Sequence, residues 1–146
     1  MIAAARLAAF AALTHLDNER TTLGEAMAIV QKPLPDERDR GLALEIVAGT
    51  ERMRAALDYQ LARRLTRPID KLDSAVLAIL RLSAFQLMYL SRLPAAAVIN
   101  DAVDLTRRAG KSSACGLVNA VLRAVARDGD VLEWPDPLDT DRKSVV

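Results

Sequence analysis

The residues of this chain whose types could do covalent or acid–base chemistry are few: one histidine, one cysteine and some close pairs of acids. A nucleophile activated by imidazole, or a metal centre, would need His15 and Cys115 brought together with a carboxylate from distant parts of the chain. Their settings point to plainer roles, His15 near the end of an apolar helical stretch and Cys115 as a small filler beside a core stripe. The pairs Asp36 with Asp39 and Asp101 with Asp104 could serve acid–base catalysis. Asp36, Glu37 and Asp39, however, open a helical run, where acids cap free N–H groups and offset the helix dipole. The six glycines are scattered, with neither a G-x-G-x-x-G nor a Walker pattern. The chain is therefore expected to hold no metal, no nucleotide cofactor and no catalytic residue.

Surface cations are the chemistry that remains. Sixteen of the twenty basic residues are arginine, whose planar fork suits phosphates and base edges. Arg6, Arg38, Arg40, Arg107, Arg108, Lys111, Arg123 and Arg127, with a further group at Arg63, Arg64 and Arg67, fall at helix ends or off the apolar stripes. These positions make a phosphate backbone a candidate ligand. Asn100 and Asn119 lie inside helical stretches, where an amide is unfavourable without a partner, and both are expected to tie a neighbouring loop or helix end to the core. The formal net charge of +1 averages two unlike regions. Residues 1–128 hold 18 Lys or Arg against 14 Asp or Glu, a balance of +4, and residues 129–146 a balance of −3.

The elements that must position these groups are helices. The chain is 51% hydrophobic but only 3% aromatic, so its core is built from Ala, Leu, Val and Ile, a mixture that favours close-packed helices. At 146 residues it fits one domain able to bury a core without disulfides. A first helix is predicted from Ile2 to about Leu16. A second follows Thr22, capped with Glu25 three residues on, carries Leu23, Met27 and Val30, and is stopped by Pro33 and Pro35. A long helical run spans Asp36 to Leu65, with Gly49 either admitting a neighbouring helix or kinking the rod. After a break at Pro68 comes the most apolar stretch, DSAVLAILRLSAFQLMYL, apolar around most of its circumference and so central. Pro94 opens the next helix and Gly110 ends it. The last begins with Ser112 or Ser113 as cap and carries Leu117, Val118, Val121, Leu122 and Val125. Beyond Gly129 the periodicity is lost, and residues 129–146 read as an acidic, proline-containing tail or linker with Trp134 as its one anchor.

The lone cysteine fits a reducing cytosol, the N-terminal apolar run is broken by Arg6, and no stretch is long and apolar enough for a membrane. A cytoplasmic protein is expected.

Three stretches, RDRGLALEIVAGTERMRAALDYQL, VLAILRLSAFQLMYLSRLPAAAVINDAVDLTRRAG and GLVNAVLRAVAR, together resemble the NusB-like RNA-binding domain over about residues 3 to 128. Gln86 after Phe85, Ala120 followed by Arg123 at the end of VNAVLR, and the RDR entry with Asp39 and Arg40 are similar to the branch that precedes the catalytic domain of RsmB (Sun/Fmu) methyltransferases. The resemblance implies an all-α, NusB-like compact bundle of about six to seven helices, over residues 1–128, that binds ribosomal RNA and does no chemistry itself. It implies a parent enzyme that uses S-adenosylmethionine to methylate carbon five of a cytosine in small-subunit ribosomal RNA, the methyl donor and the catalytic cysteine belonging to a C-terminal domain against which this one sits. Two other readings stay open, a freestanding transcription antitermination factor and a protein-docking domain without RNA affinity.

Overall fold

In a computed structural model, which describes residues 1–19, 21–32 and 34–128, the chain is an all-α bundle. Its helices are α1 (Ala4–Glu19), α2 (Leu23–Gln31), α3 (Glu37–Arg52), α4 (Arg54–Ala62), α5 (Ser74–Tyr89), α6 (Ala95–Arg108) and α7 (Cys115–Arg127), with short 3₁₀ turns at Ile69–Lys71 and Ser112–Ala114. Pro33 and residues 129–146, including Trp134, lie outside the described residues.

The long apolar helix α5 is also the central one. α5 packs on α1, α3, α4, α6 and α7, and Ile79, Leu80, Leu82 and Ala84 on it are fully buried. A helix surrounded in this way has no solvent face to keep polar, which accounts for its weak amphipathicity. Asp73 starts it, accepting hydrogen bonds from the backbone N–H of Ala75 at 2.9 Å and Val76 at 3.2 Å. The predicted capping box of α2 is present, with Glu25 N–H donating to Thr22 Oγ1 at 3.1 Å and Thr22 N–H donating to Glu25 Oε1 at 3.0 Å. On that helix Met27 packs against the core, while Leu23 is exposed.

The long run from Asp36 to Leu65 is two helices, and the break is not at Gly49. It falls at Met53 (φ −98°, ψ 16°), whose N–H still reaches Gly49 O at 2.9 Å. Gly49 does the other thing a glycine allows: a Cβ there would overlap the ring of Phe85, so its absence lets α3 and α5 close on each other. The last helix begins later than expected. Ser112 and Ser113 form the 3₁₀ turn instead of a cap, and α7 starts at Cys115 without a side-chain cap.

Candidate nucleic-acid interface

The α6–α7 hairpin gathers five of the eleven cations singled out in the sequence, Arg107, Arg108, Lys111, Arg123 and Arg127, and its turn shows how. Arg107 and Arg108 occupy the last turn of α6, where positive charge complements the helix dipole. Gly110 takes φ +78°, so that its N–H donates to Arg107 O at 2.9 Å and the N–H of Lys111 donates to Thr106 O at 3.0 Å. This is a Schellman closure, which needs a residue at ease in the left-handed region. The turn delivers Lys111 to Asp73, whose free carboxylate oxygen accepts from Lys111 Nζ at 2.8 Å. One carboxylate thus caps α5 and clips the hairpin to it. The Lys111 ammonium, ahead of the two backbone N–H groups, holds the Asp73 carboxyl below the ordinary carboxylate range.

Between α6 and α7 runs an open groove. One end, of about 700 Å³, is lined by Asn100, Asp104, Arg107, Cys115 and Asn119 among others. The other, of about 590 Å³, is lined by Ala96, Ile99, Asn100, Arg123, Ala126 and Arg127. Asn119, Arg123 and Arg127 form one row along α7, with Arg123 Nε donating to Asn119 Oδ1 at 3.3 Å. Asn100 is exposed and makes no side-chain hydrogen bond among the described residues. The two asparagines therefore face the groove, and do not pin helices as expected. Cys115 is half-buried, with its Sγ 3.7 Å from Val103 O.

Arg6 departs from the surface group altogether. It is buried at 7% exposure, its Nη1 donating to Asp101 Oδ2 at 2.8 Å and its Nε to Gln86 Oε1 at 2.7 Å. Asp101 also accepts from the N–H of Ala3 at 3.1 Å, and Gln86 donates to Leu82 O at 2.9 Å. These bonds tie α1 to α5 and α6, the work expected of Asn100 and Asn119. The sequence did contain a signal, a glutamine inside the long apolar helix and an acid within an amphipathic one, since a buried polar group demands partners.

The other cations are spread more widely. Arg38 is exposed at the start of α3, and Arg40 beside it donates to Leu34 O and Pro35 O, both at 2.8 Å, bracing the loop before the helix. That helix packs on α1, α2, α4 and α5, so these two arginines are not gathered with the hairpin. Arg64 is committed to Asp128 at 2.8 Å, and Arg63 lies over the ring of exposed Tyr59, 5.7 Å from its centroid. No group of three or more His, Cys, Asp or Glu able to hold a metal occurs among the described residues, and no described helix is long and apolar enough to cross a membrane.

This bundle and its basic hairpin can be set beside known proteins. A family model described as the NusB family matches residues 3–127. The chain belongs to the NusB family. Similar proteins include the ribosomal RNA small subunit methyltransferase B of Pseudomonas putida, 38% identical over 87% of this chain but only 29% of that protein. Another is the transcription antitermination protein NusB of Methylococcus capsulatus, 30% identical over 82% of this chain and 59% of that protein. Among solved structures, one described as antitermination factors NusB and NusE in complex with dsRNA superposes with a TM-score of 0.77 at 27% identity, covering 85% of this chain and 94% of that one. The chain thus spans less than a third of the length of the methyltransferases it matches first.

Proposed function

We propose that residues 1–128 are a non-catalytic RNA-binding domain of an S-adenosylmethionine-dependent ribosomal RNA cytosine-5 methyltransferase, working in the cytoplasm and followed by a linker at 129–146. The observation that carries the RNA reading is the α6–α7 hairpin, which holds Arg107, Arg108, Lys111 and Arg123 along one groove and its turn, next to two asparagines whose amides face the same groove. Arginine and lysine there would meet phosphates, and asparagine amides would meet base edges or ribose hydroxyls. The methyl donor does not fit this domain. The recess between α6 and α7 is an open groove with a charged rim, and the described glycines stand singly. The donor and the reaction are accordingly assigned to a catalytic domain of the parent enzyme, which would also be this domain's protein partner.

Binding of the chain to a small-subunit ribosomal RNA fragment at two salt concentrations tests the reading, with Arg107→Glu/Arg108→Glu as the variant. Both arginines are exposed, so the fold survives the change. Affinity is expected to fall with salt, and the variant to bind more weakly, with a salt slope reduced by about 1 for each phosphate it no longer neutralises. An affinity indifferent to salt, or unchanged in the variant, refutes the reading. The similarity to NusB proteins that cover more of their own length supports a second reading, a freestanding antitermination factor. A catalytic domain encoded downstream in the same reading frame would end it.

A further inference from the structure

The groove between α6 and α7 does not stop at Arg127. It runs on into a recess of about 340 Å³ lined by Leu87 and Met88 at the end of α5 and by Leu93 and Ala95 before and at the start of α6, and the two parts share Ala126 and Arg127. Leu87, Met88 and Leu93 are only half-buried, each packed on the core from one side and open on the other. Exposed Arg123 and Arg127 stand along the rim. The part lined by Ala96, Ile99 and Ala126 is mainly apolar, the recess beyond it mixes Leu87, Met88 and Leu93 with Ser91, and the edge is positive.

We propose that the apolar end of the groove is the seat of the chain's own segment 130–138, DVLEWPDPL, with Trp134 as its anchor. Continuity is the first reason. The chain leaves α7 at Asp128, whose carboxylate accepts from Arg64 Nη2 at 2.8 Å and Arg127 Nε at 3.2 Å, so the departure point is fixed beside Arg127. Reach is the second. Trp134 lies six residues beyond Asp128, which at about 3.3 Å per extended residue is up to about 20 Å, the length of a 13-residue helix such as α7. Chemistry is the third. Val131, Leu132, Trp134 and Leu138 would fill the apolar floor, while Asp130, Glu133 and Asp136 would meet the arginine rim. Pro135 and Pro137 lower the entropy lost on ordering the segment. Docked in this way, the segment that leads out of the domain becomes part of its surface and sets the direction in which the chain continues. The seat shares Arg123 with the RNA reading, and fluorescence measured without RNA tests it separately from that reading.

Trp134 is the only tryptophan, so its fluorescence in the 146-residue chain reports on the segment directly. Wild-type emission is expected to be blue-shifted from that of free tryptophan amide and shielded from acrylamide. Met88→Glu should abolish the blue shift and the double variant Arg123→Glu/Arg127→Glu should weaken it, whereas Leu23→Glu on the exposed face of α2 should leave it unchanged. If Met88→Glu loses helicity, the surface double variant decides. Solvent-like emission from the wild-type chain overturns the proposal, as does a blue shift that both groove variants leave intact. A blue shift that vanishes on dilution assigns the groove to a second copy, and shielding that appears only with the ribosomal RNA fragment assigns it to RNA. Either result also overturns the proposal.

Discussion

Asp101→Ala should cost this domain more than any change on its surface, and the reason lies in what the missing carboxylate leaves behind. Asp101 Oδ2 accepts from the Arg6 guanidinium at 2.8 Å and from the Ala3 N–H at 3.1 Å. With the carboxylate gone, an arginine that is 7% exposed keeps its full charge, and Gln86 becomes its one remaining partner among the described residues. Breaking a buried pair from one side costs about 3–5 kcal/mol, against a total folding stability of about 5–15 kcal/mol for a domain. Arg6→Met should cost a similar amount by stranding the carboxylate and Gln86 Oε1. The double replacement Arg6→Met/Asp101→Leu removes both charges and keeps the volume. It leaves only neutral groups unpartnered, at about 1–3 kcal/mol each, so its cost should fall well short of the sum of the two single variants. Urea denaturation followed by circular dichroism gives all three values. Single variants that each lose less than about 1 kcal/mol, or a double variant that loses their full sum, would refute the reasoning. The outcome also bears on function, since weakened RNA binding by an Arg6 variant would report a loosened core and not a missing phosphate partner.

Gly49→Ala should destabilise by about 1–3 kcal/mol because the new methyl overlaps the Phe85 ring, and Phe85→Leu in the same chain should restore part of the loss. Gly41→Ala, with open space around it in α3, should instead gain about 0.5–1 kcal/mol; thermal melts of the two variants check the contrast. Thr22→Ala removes one half of the α2 capping box and should cost about 1 kcal/mol, with faster amide exchange in the first turn of that helix. Lys111→Met removes the main cause of the lowered Asp73 pKa. A depressed carboxylate stabilises the fold above its unfolded pKa of about 3.9, and the contribution is lost as pH falls through the folded value below that. The wild-type advantage over Lys111→Met, below about 1 kcal/mol for so exposed a pair, should therefore be present at neutral pH and shrink below about pH 4 in acid unfolding.

What the sequence disclosed was whatever a single helix decides for itself. The capping box at Thr22 and Glu25, the helix stop at Gly110 and the central place of the apolar stretch around Leu80 all follow from spacing within one element. The break at Met53 did not, because the run from Asp36 to Leu65 keeps an apolar stripe on both sides of it, and both helices bury that stripe against α5. Gly49 was legible as a choice between kink and close approach, and only the position of Phe85 resolves it. Arg6 was misplaced for a related reason. An arginine between Ala5 and Leu7 reads as a solvated edge until Gln86 and Asp101, 80 and 95 residues away, are known to meet it. Asn100 and Asn119 were assigned the tie that these three residues make.

Arginines of one chemical type thus divide according to how readily each can give up its present partner. Arg107 and Asp104 form an exposed i,i+3 pair, worth about 0.2–1 kcal/mol at most, and Lys111 with Asp73 is about as exposed. Exchanging either carboxylate for a phosphate costs less than a charge-assisted phosphate contact returns. Arg108 has no ion pair among the described residues and is available at once. Arg81 is held differently, by a bidentate pair to Asp58 at 2.7 and 2.9 Å with its side chain 12% exposed, and Arg64 is similarly sunk against Asp128. These two stay where they are, and Arg6 cannot leave at all. A net charge of +1 therefore says little about affinity for a polyanion. Asp104 and Asp73 mask two of the hairpin's five cations, Arg107 and Lys111, and the hairpin becomes more basic toward any ligand whose phosphates displace those two carboxylates.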